Sequence, residues 1–186
     1  MPPARRFGSV HRRAATHARA ARGRTTVDDG HRQGRADRAA PPSEWETYLL
    51  QLINASRAGA GAGALPFDAE LSDTAERRTS WMLATDSFGH TGEGGPSAAQ
   101  RAEGAGYGYR ALGENAAVLD AADVEALHDN LLASPGHRAN LLNPAYTEVG
   151  LGIERGDYRG WHAVFVTEAF GSPNAREAAE PDDWFV

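Results

Sequence analysis

The side chains of this 186-residue sequence best suited to chemistry are its seven histidines and its carboxylates, because cysteine is absent altogether. That absence removes disulfide scaffolds, thiolate zinc sites, iron–sulfur centres and cysteine nucleophiles from consideration. His11, His17 and His31 lie in a leading stretch with almost no large apolar residue and are set aside. His128 falls on the polar side of a predicted helix and His162 on an alternating strand position; both are expected to be surface or hydrogen-bonded residues. His90 and His137 remain. Each sits beside glycine at a loop or helix end, in Phe88-Gly89-His90-Thr91-Gly92 and Ser134-Pro135-Gly136-His137-Arg138. Imidazole is the side chain that both exchanges protons near neutral pH and ligates metals.

Other catalytic templates fail. The sequence has no His-Glu-x-x-His helix, no Gly-x-Ser-x-Gly elbow, no phosphate-binding Gly-x-x-x-x-Gly-Lys loop and no Rossmann glycine triplet opening a helix. Ser134 precedes His137 by three residues, but nothing adjacent supplies the third group or the oxyanion hole that a serine nucleophile needs.

Several elements must position these side chains. Ser43 with Glu46 three residues on forms a capping box, and Trp45, Tyr48, Leu49, Leu52 and Ile53 recur at helical spacing until the run from Ala58 to Gly63 ends the helix. A second helix starts near Asp68 and carries Leu71, Ala75 and Met82 on one face. From Gly89 to Gly113 the chain reads as a long glycine-rich connection with a short helical piece from Pro96 to Glu103. Loops of that length inside compact domains carry function or lie disordered, and bracketing by His90 and Glu114 favours function here. A further helix covers about Ala122 to Ala133, and Pro135 suits the first position of a new helical turn bearing His137, Arg138 and Asn140. The period then changes. Val149, Leu151 and Ile153 alternate with Gly150 and Gly152, and Trp161 to Phe170 forms a second strand after a turn from Arg155 to Gly160. Ala116 to Val118 adds a third, short strand, which makes the expected class α+β with helices packed on an antiparallel sheet.

Charge divides the chain. All 19 basic residues are arginine; residues 1–43 hold ten of them against three aspartates, giving +7, while the remainder holds nine against 22 acids, giving −13. The leading segment, 1–43, is expected to be disordered. Its arginine pairs lack the apolar run of an export signal, so no signal peptide is recognisable, and no stretch is apolar enough to span a membrane. It also lacks interleaved aromatics and a helix to present arginines along a groove, so nucleic-acid binding is not expected. Residues 172–186 read as a polar tail with Trp184-Phe185 as a docking point.

Between about residues 46 and 171 a series of motifs occurs in order: Leu52-Ile53-Asn54-Ala55-Ser56-Arg57, Leu65-Pro66-Phe67-Asp68, Phe88-Gly89-His90-Thr91, Gly106-Tyr107, Gly113-Glu114-Asn115-Ala116, Ser134-Pro135-Gly136-His137-Arg138-Ala139-Asn140-Leu141-Leu142, Tyr146-Thr147-Glu148-Val149-Gly150 and Phe170-Gly171. Together they resemble the bacterial branch of the CAP superfamily, the cysteine-rich secretory, antigen 5 and pathogenesis-related proteins, also called SCP-like extracellular proteins. The resemblance implies an α–β–α sandwich over residues 44–171 and a location outside the cell or in its envelope. It also implies a surface cleft with two histidines and two acidic residues that bind a divalent ion in some members. His90 and Glu114 match one histidine and one acid of that set; Ala145 and Ser134 stand where the other histidine and acid are found, and the Ser-Pro-Gly-His motif brings in His137 instead. The implied site is therefore His90, Glu114 and His137, with Asn115, Arg138 and Asn140 building the cleft. Two imidazoles and one carboxylate form a ligand set that zinc or another divalent cation accepts. The expected role is a monomeric binding module for a lipid, a small hydrophobic ligand or a cell-wall component, with a metal-dependent hydrolase using the same cleft as the alternative.

Overall fold

The computed structural model describes residues 41–90, 95–119 and 123–174. The leading arginine-rich segment up to residue 40 and the tail from residue 175, including Trp184-Phe185, lie outside them. Among the described residues, five helices and three strands follow in the order α1 (Glu44–Gly59), α2 (Ala69–Ala84), α3 (Ala98–Ala105), β1 (Tyr109–Leu119), α4 (Val124–Ala133), α5 (Pro135–Leu141), β2 (Glu148–Tyr158) and β3 (Trp161–Pro173). The strands form one antiparallel sheet in the order β1-β3-β2.

Local chemistry sets the helix starts. Ser43 Oγ accepts from the Glu46 amide while the Glu46 carboxylate accepts from the Ser43 amide, closing the expected capping box. Asp68, Ser97 and Asp123 cap α2, α3 and α4 in the same way, each satisfying an amide that the helix cannot. Gly106 ends α3 in the left-handed conformation at φ 92°. At the start of α5, Pro135 takes the position where a missing N–H costs nothing.

Side-chain alternation along β3 divides the core in two. Val164, Val166 and Phe170 join Leu49 and Ile53 of α1, Leu127 and Leu131 of α4 and Leu141 of α5 on one face. Phe165 and Ala169 meet Met82, Leu71 and Ala75 of α2 and Ala102 of α3 on the other. The result is a layer of helices on each side of the sheet, the sandwich that the motifs imply. Gly150 and Gly152 of β2 point at α2, and a Cβ on Gly152 would lie 2.6 Å from the Glu76 backbone nitrogen. Glycine at these alternate positions lets the α2 backbone rest directly on the strand.

Three details depart from the sequence reading. The strand expected at Ala116–Val118 begins at Tyr109, so the connection after Gly89 is shorter than expected. The β2–β3 turn is only Arg159-Gly160, both at positive φ (49° and 89°), because β2 continues to Tyr158. There the Tyr158 ring packs edge-on against Trp161 and Phe165 and extends the ladder to the tip. His128, placed on the polar side of its helix, is buried, with Nε2 2.8 Å from Ser56 Oγ; it joins α4 to α1. His162 is exposed as expected, with Nδ1 2.6 Å from Asp157 Oδ1.

Candidate functional site

β1 is one of the sheet's two end strands, and Glu114 on it meets His90. Gly113 opens the Gly-Glu-Asn run because the Tyr146 ring lies against it; a Cβ there would come within 2.7 Å of Tyr146 Cζ. The next two residues point to opposite faces of the sheet, as strand geometry requires. Glu114 turns toward the α2 and α3 layer, where Arg101 of α3 donates through Nη2 to Oε2. Its other oxygen, Oε1, sits 3.0 Å from His90 Nδ1. The carboxylate is buried to 5% side-chain exposure and the imidazole is 58% exposed, so Glu114 acts as a fixed base plate that orients a solvent-facing ring. Arg101 also ties down the loop, donating to the Pro96 carbonyl at 2.7 Å and the His90 carbonyl at 3.4 Å.

Asn115 turns toward α5. Its Nδ2 donates to the His137 carbonyl at 3.1 Å and to Glu168 Oε2 at 2.9 Å. Asn140 donates from Nδ2 to Asn115 Oδ1 at 2.9 Å and to the Glu114 carbonyl at 3.1 Å. Together the two asparagines tie the start of α5, with the His137 backbone, to β1. Arg138 stays exposed. The His137 Nδ1 is buried without a partner, and burial, reinforced by the His90 charge, lowers its pKa.

Sequence reasoning missed Glu168. It is fully buried on β3, its Oε1 has no partner, and burial pushes its pKa up to about 7, opposed by the Asn115 hydrogen bond. The available signal was a lone carboxylate inside the apolar strand Ala163 to Phe170. Because its folded pKa lies above the ordinary 4.5, this group's contribution to stability is complete below pH 4.5 and is lost as pH rises to about 7. Glu168→Gln is expected to remove a loss of about 3 kcal/mol over that window. Urea denaturation of both proteins from pH 4.5 to 8 checks this; stability curves that stay parallel exclude it.

Among the described residues no three His, Asp or Glu side chains gather as a group that could hold a metal ion. Both Glu114 oxygens are engaged, Oε1 with His90 and Oε2 with the Arg101 guanidinium.

A shallow groove of about 520 Å³ begins at His90 and Glu114 and follows β1 back through Leu112, Ala111 and Arg110 to Tyr109, with Ser97 and Ala98 of the α3 start as its far wall. β1, along which it runs, pairs with β3 and stands at one end of the sheet.

Comparison with known proteins agrees with this architecture. Residues 50–170 match the model of the cysteine-rich secretory protein family, CAP. The Bacillus subtilis protein YkwD is 30% identical over 125 residues, which are 67% of this chain and 48% of YkwD, so the match spans about half of that relative's length. A solved Bacillus anthracis structure, described as an extracellular protein containing an SCP domain, superposes with a TM-score of 0.58 at 25% identity over 72% of this chain and 45% of its own. An outer surface protein of Borrelia burgdorferi shares the fold, with a TM-score of 0.61 at 20% identity over 73% of this chain and 97% of its own. No described helix is long and apolar enough to cross a membrane. With its motifs, its sandwich and its family match in agreement, this cysteine-free chain belongs to the CAP, or cysteine-rich secretory protein, family.

Proposed function

We propose that the domain is an extracellular or envelope-associated binding module that takes an extended cell-wall component, of peptide character, along the outer edge of β1. The observation that carries this reading is the groove itself. It is open rather than enclosed, it runs along an end strand of the sheet, and His90, held by buried Glu114, lies in its lining. A strand edge offers amides and carbonyls at regular spacing, which an extended peptide matches by adding as a further strand. An acyl chain would need an enclosed apolar cavity instead. His90, Glu114, His137 and Asn115 form the cleft, with His90 as the contact residue, Glu114 fixing its ring, and Asn115 holding the α5 turn that carries His137. The description of the Bacillus anthracis relative as extracellular supports the location.

Co-sedimentation of the full chain with purified insoluble cell wall tests the reading. Saturable binding is expected, and His90→Ala is expected to weaken it about tenfold, the loss of one central contact. Equal binding by the variant, or capture by phosphatidylglycerol vesicles and not by cell wall, overturns it.

A further inference from the structure

A second cavity, of about 210 Å³, lies behind the groove between α2 and α3, and three guanidinium groups line it: Arg77, Arg78 and Arg101, together with Trp81, Pro96 and Gln100. Arg77 is exposed and has Asp73 at 2.8 Å; Arg101 has Glu114. Arg78 has neither. It is only 2% exposed, and its Nε and Nη2 are out of water with no hydrogen-bond partner, as is Arg101 Nε. The Trp81 ring faces Arg78, with its centroid 4.6 Å from Cζ.

An unmatched buried guanidinium is costly, since its donors lose water and gain nothing in return. Burial and the neighbouring Arg101 charge both lower the Arg78 pKa, with only Glu114 opposing them. Arginine's planar fork matches carboxylate and phosphate oxygens two at a time. The cavity is smaller than the roughly 300–1,000 Å³ typical of pockets for drug-sized ligands, which limits the occupant to a small molecule. Trp81 and Pro96 give it an apolar wall.

From the lone buried guanidinium and the cavity beside it, we infer that this space between α2 and α3 is a binding site for a small organic anion, whose carboxylate or phosphate group is received by Arg78 and Arg101 while its body lies against Trp81. The site is distinct from the β1 groove. The two share only the Arg101–Glu114 pair.

Sodium benzoate and sodium phosphate are the probes, each compared with sodium chloride at equal ionic strength on the full chain. The Arg78 Nε–H resonance, assigned by its disappearance in Arg78→Met, is expected to shift saturably at millimolar benzoate or phosphate, and the thermal midpoint to rise with it. Benzoate alone acting identifies a carboxylate site, and phosphate alone a phosphate site. The midpoint response is expected to vanish in Arg78→Met and to survive in His90→Ala, so failure of the groove reading leaves this result standing. Chloride reproducing the shift, or Arg78→Met keeping the full thermal response, overturns the inference. If Arg78→Met does not fold, selective arginine labelling still identifies the Nε–H signals, and the absence of any saturable shift overturns it.

Discussion

Gly150→Ala is expected to destabilise the domain by more than about 3 kcal/mol, a large share of the stability of a domain this size. A Cβ at this position would overlap the backbone of Leu71 and Ser72, and backbone inside a helix cannot turn away as a side chain can. Relief would require lifting α2 off the sheet. That would open the core around Leu71, Ala75 and Ala169 and break the bond from the Leu151 amide to Ser72 Oγ. Gly136→Ala is the control. Gly136 lies within helix α5, a Cβ there meets nothing within 4 Å, and the change is expected to add about 0.5–1 kcal/mol of stability. Thermal melts of the two variants beside the wild type read both effects, and a Gly150→Ala midpoint within a few degrees of wild type would show that α2 is not seated as described.

The second large effect is expected at Arg57. This side chain is 1% exposed and donates to four backbone carbonyls: Gly63 at 2.7 Å, Leu141 at 2.8 Å, Asn143 at 3.0 Å and Tyr146 at 3.3 Å. Those carbonyls belong to the loop after α1, the end of α5 and the segment leading into β2. One cation thus joins three pieces of chain that share no ladder. Replacing it by methionine keeps the apolar stem and strands the carbonyls, at a cost of about 3–5 kcal/mol. Arg57→Lys keeps a charge but loses the fork, and is expected to fall between the two. Because the α5 end is one of the anchored pieces, hydrogen exchange in Arg57→Lys is expected to accelerate first at residues 141–146. Uniform acceleration across the domain would instead mean that Arg57 supports the fold as a whole.

Much of this was readable from residue order. The Ser43 capping box, the α2 start at Asp68, the Pro135 helix start and the glycine alternation in β2 follow from local rules, and the structure has each of them. What escaped was long-range. Arg57 looks like any helix-end arginine until Leu141 and Tyr146 are brought to it. Arg78 and Arg101 look like solvated charges until α3 folds across α2 and closes water off from them. The early start of β1 was hidden because Tyr109 to Asn115 mixes glycine with polar residues; its pairing with β3 makes it a strand, not its own propensity. In the site, His90 and Glu114 were nominated together and the structure joins them directly. The Arg101 guanidinium that holds the other Glu114 oxygen was not legible, because α3 is brought to β1 only by the fold.

In the site itself, the buried Glu114 carboxylate orients the His90 imidazole, which meets solvent. The most direct measurement is an amide-resolved NMR titration of the full chain with soluble cell-wall peptide fragments. Binding at the β1 edge predicts saturable shifts concentrated at Tyr109 to Glu114 and at His90, with smaller changes in α1 and α4 on the far layer. Shifts centred on α1 and α4, or no saturable shift between residues 109 and 114, would contradict it.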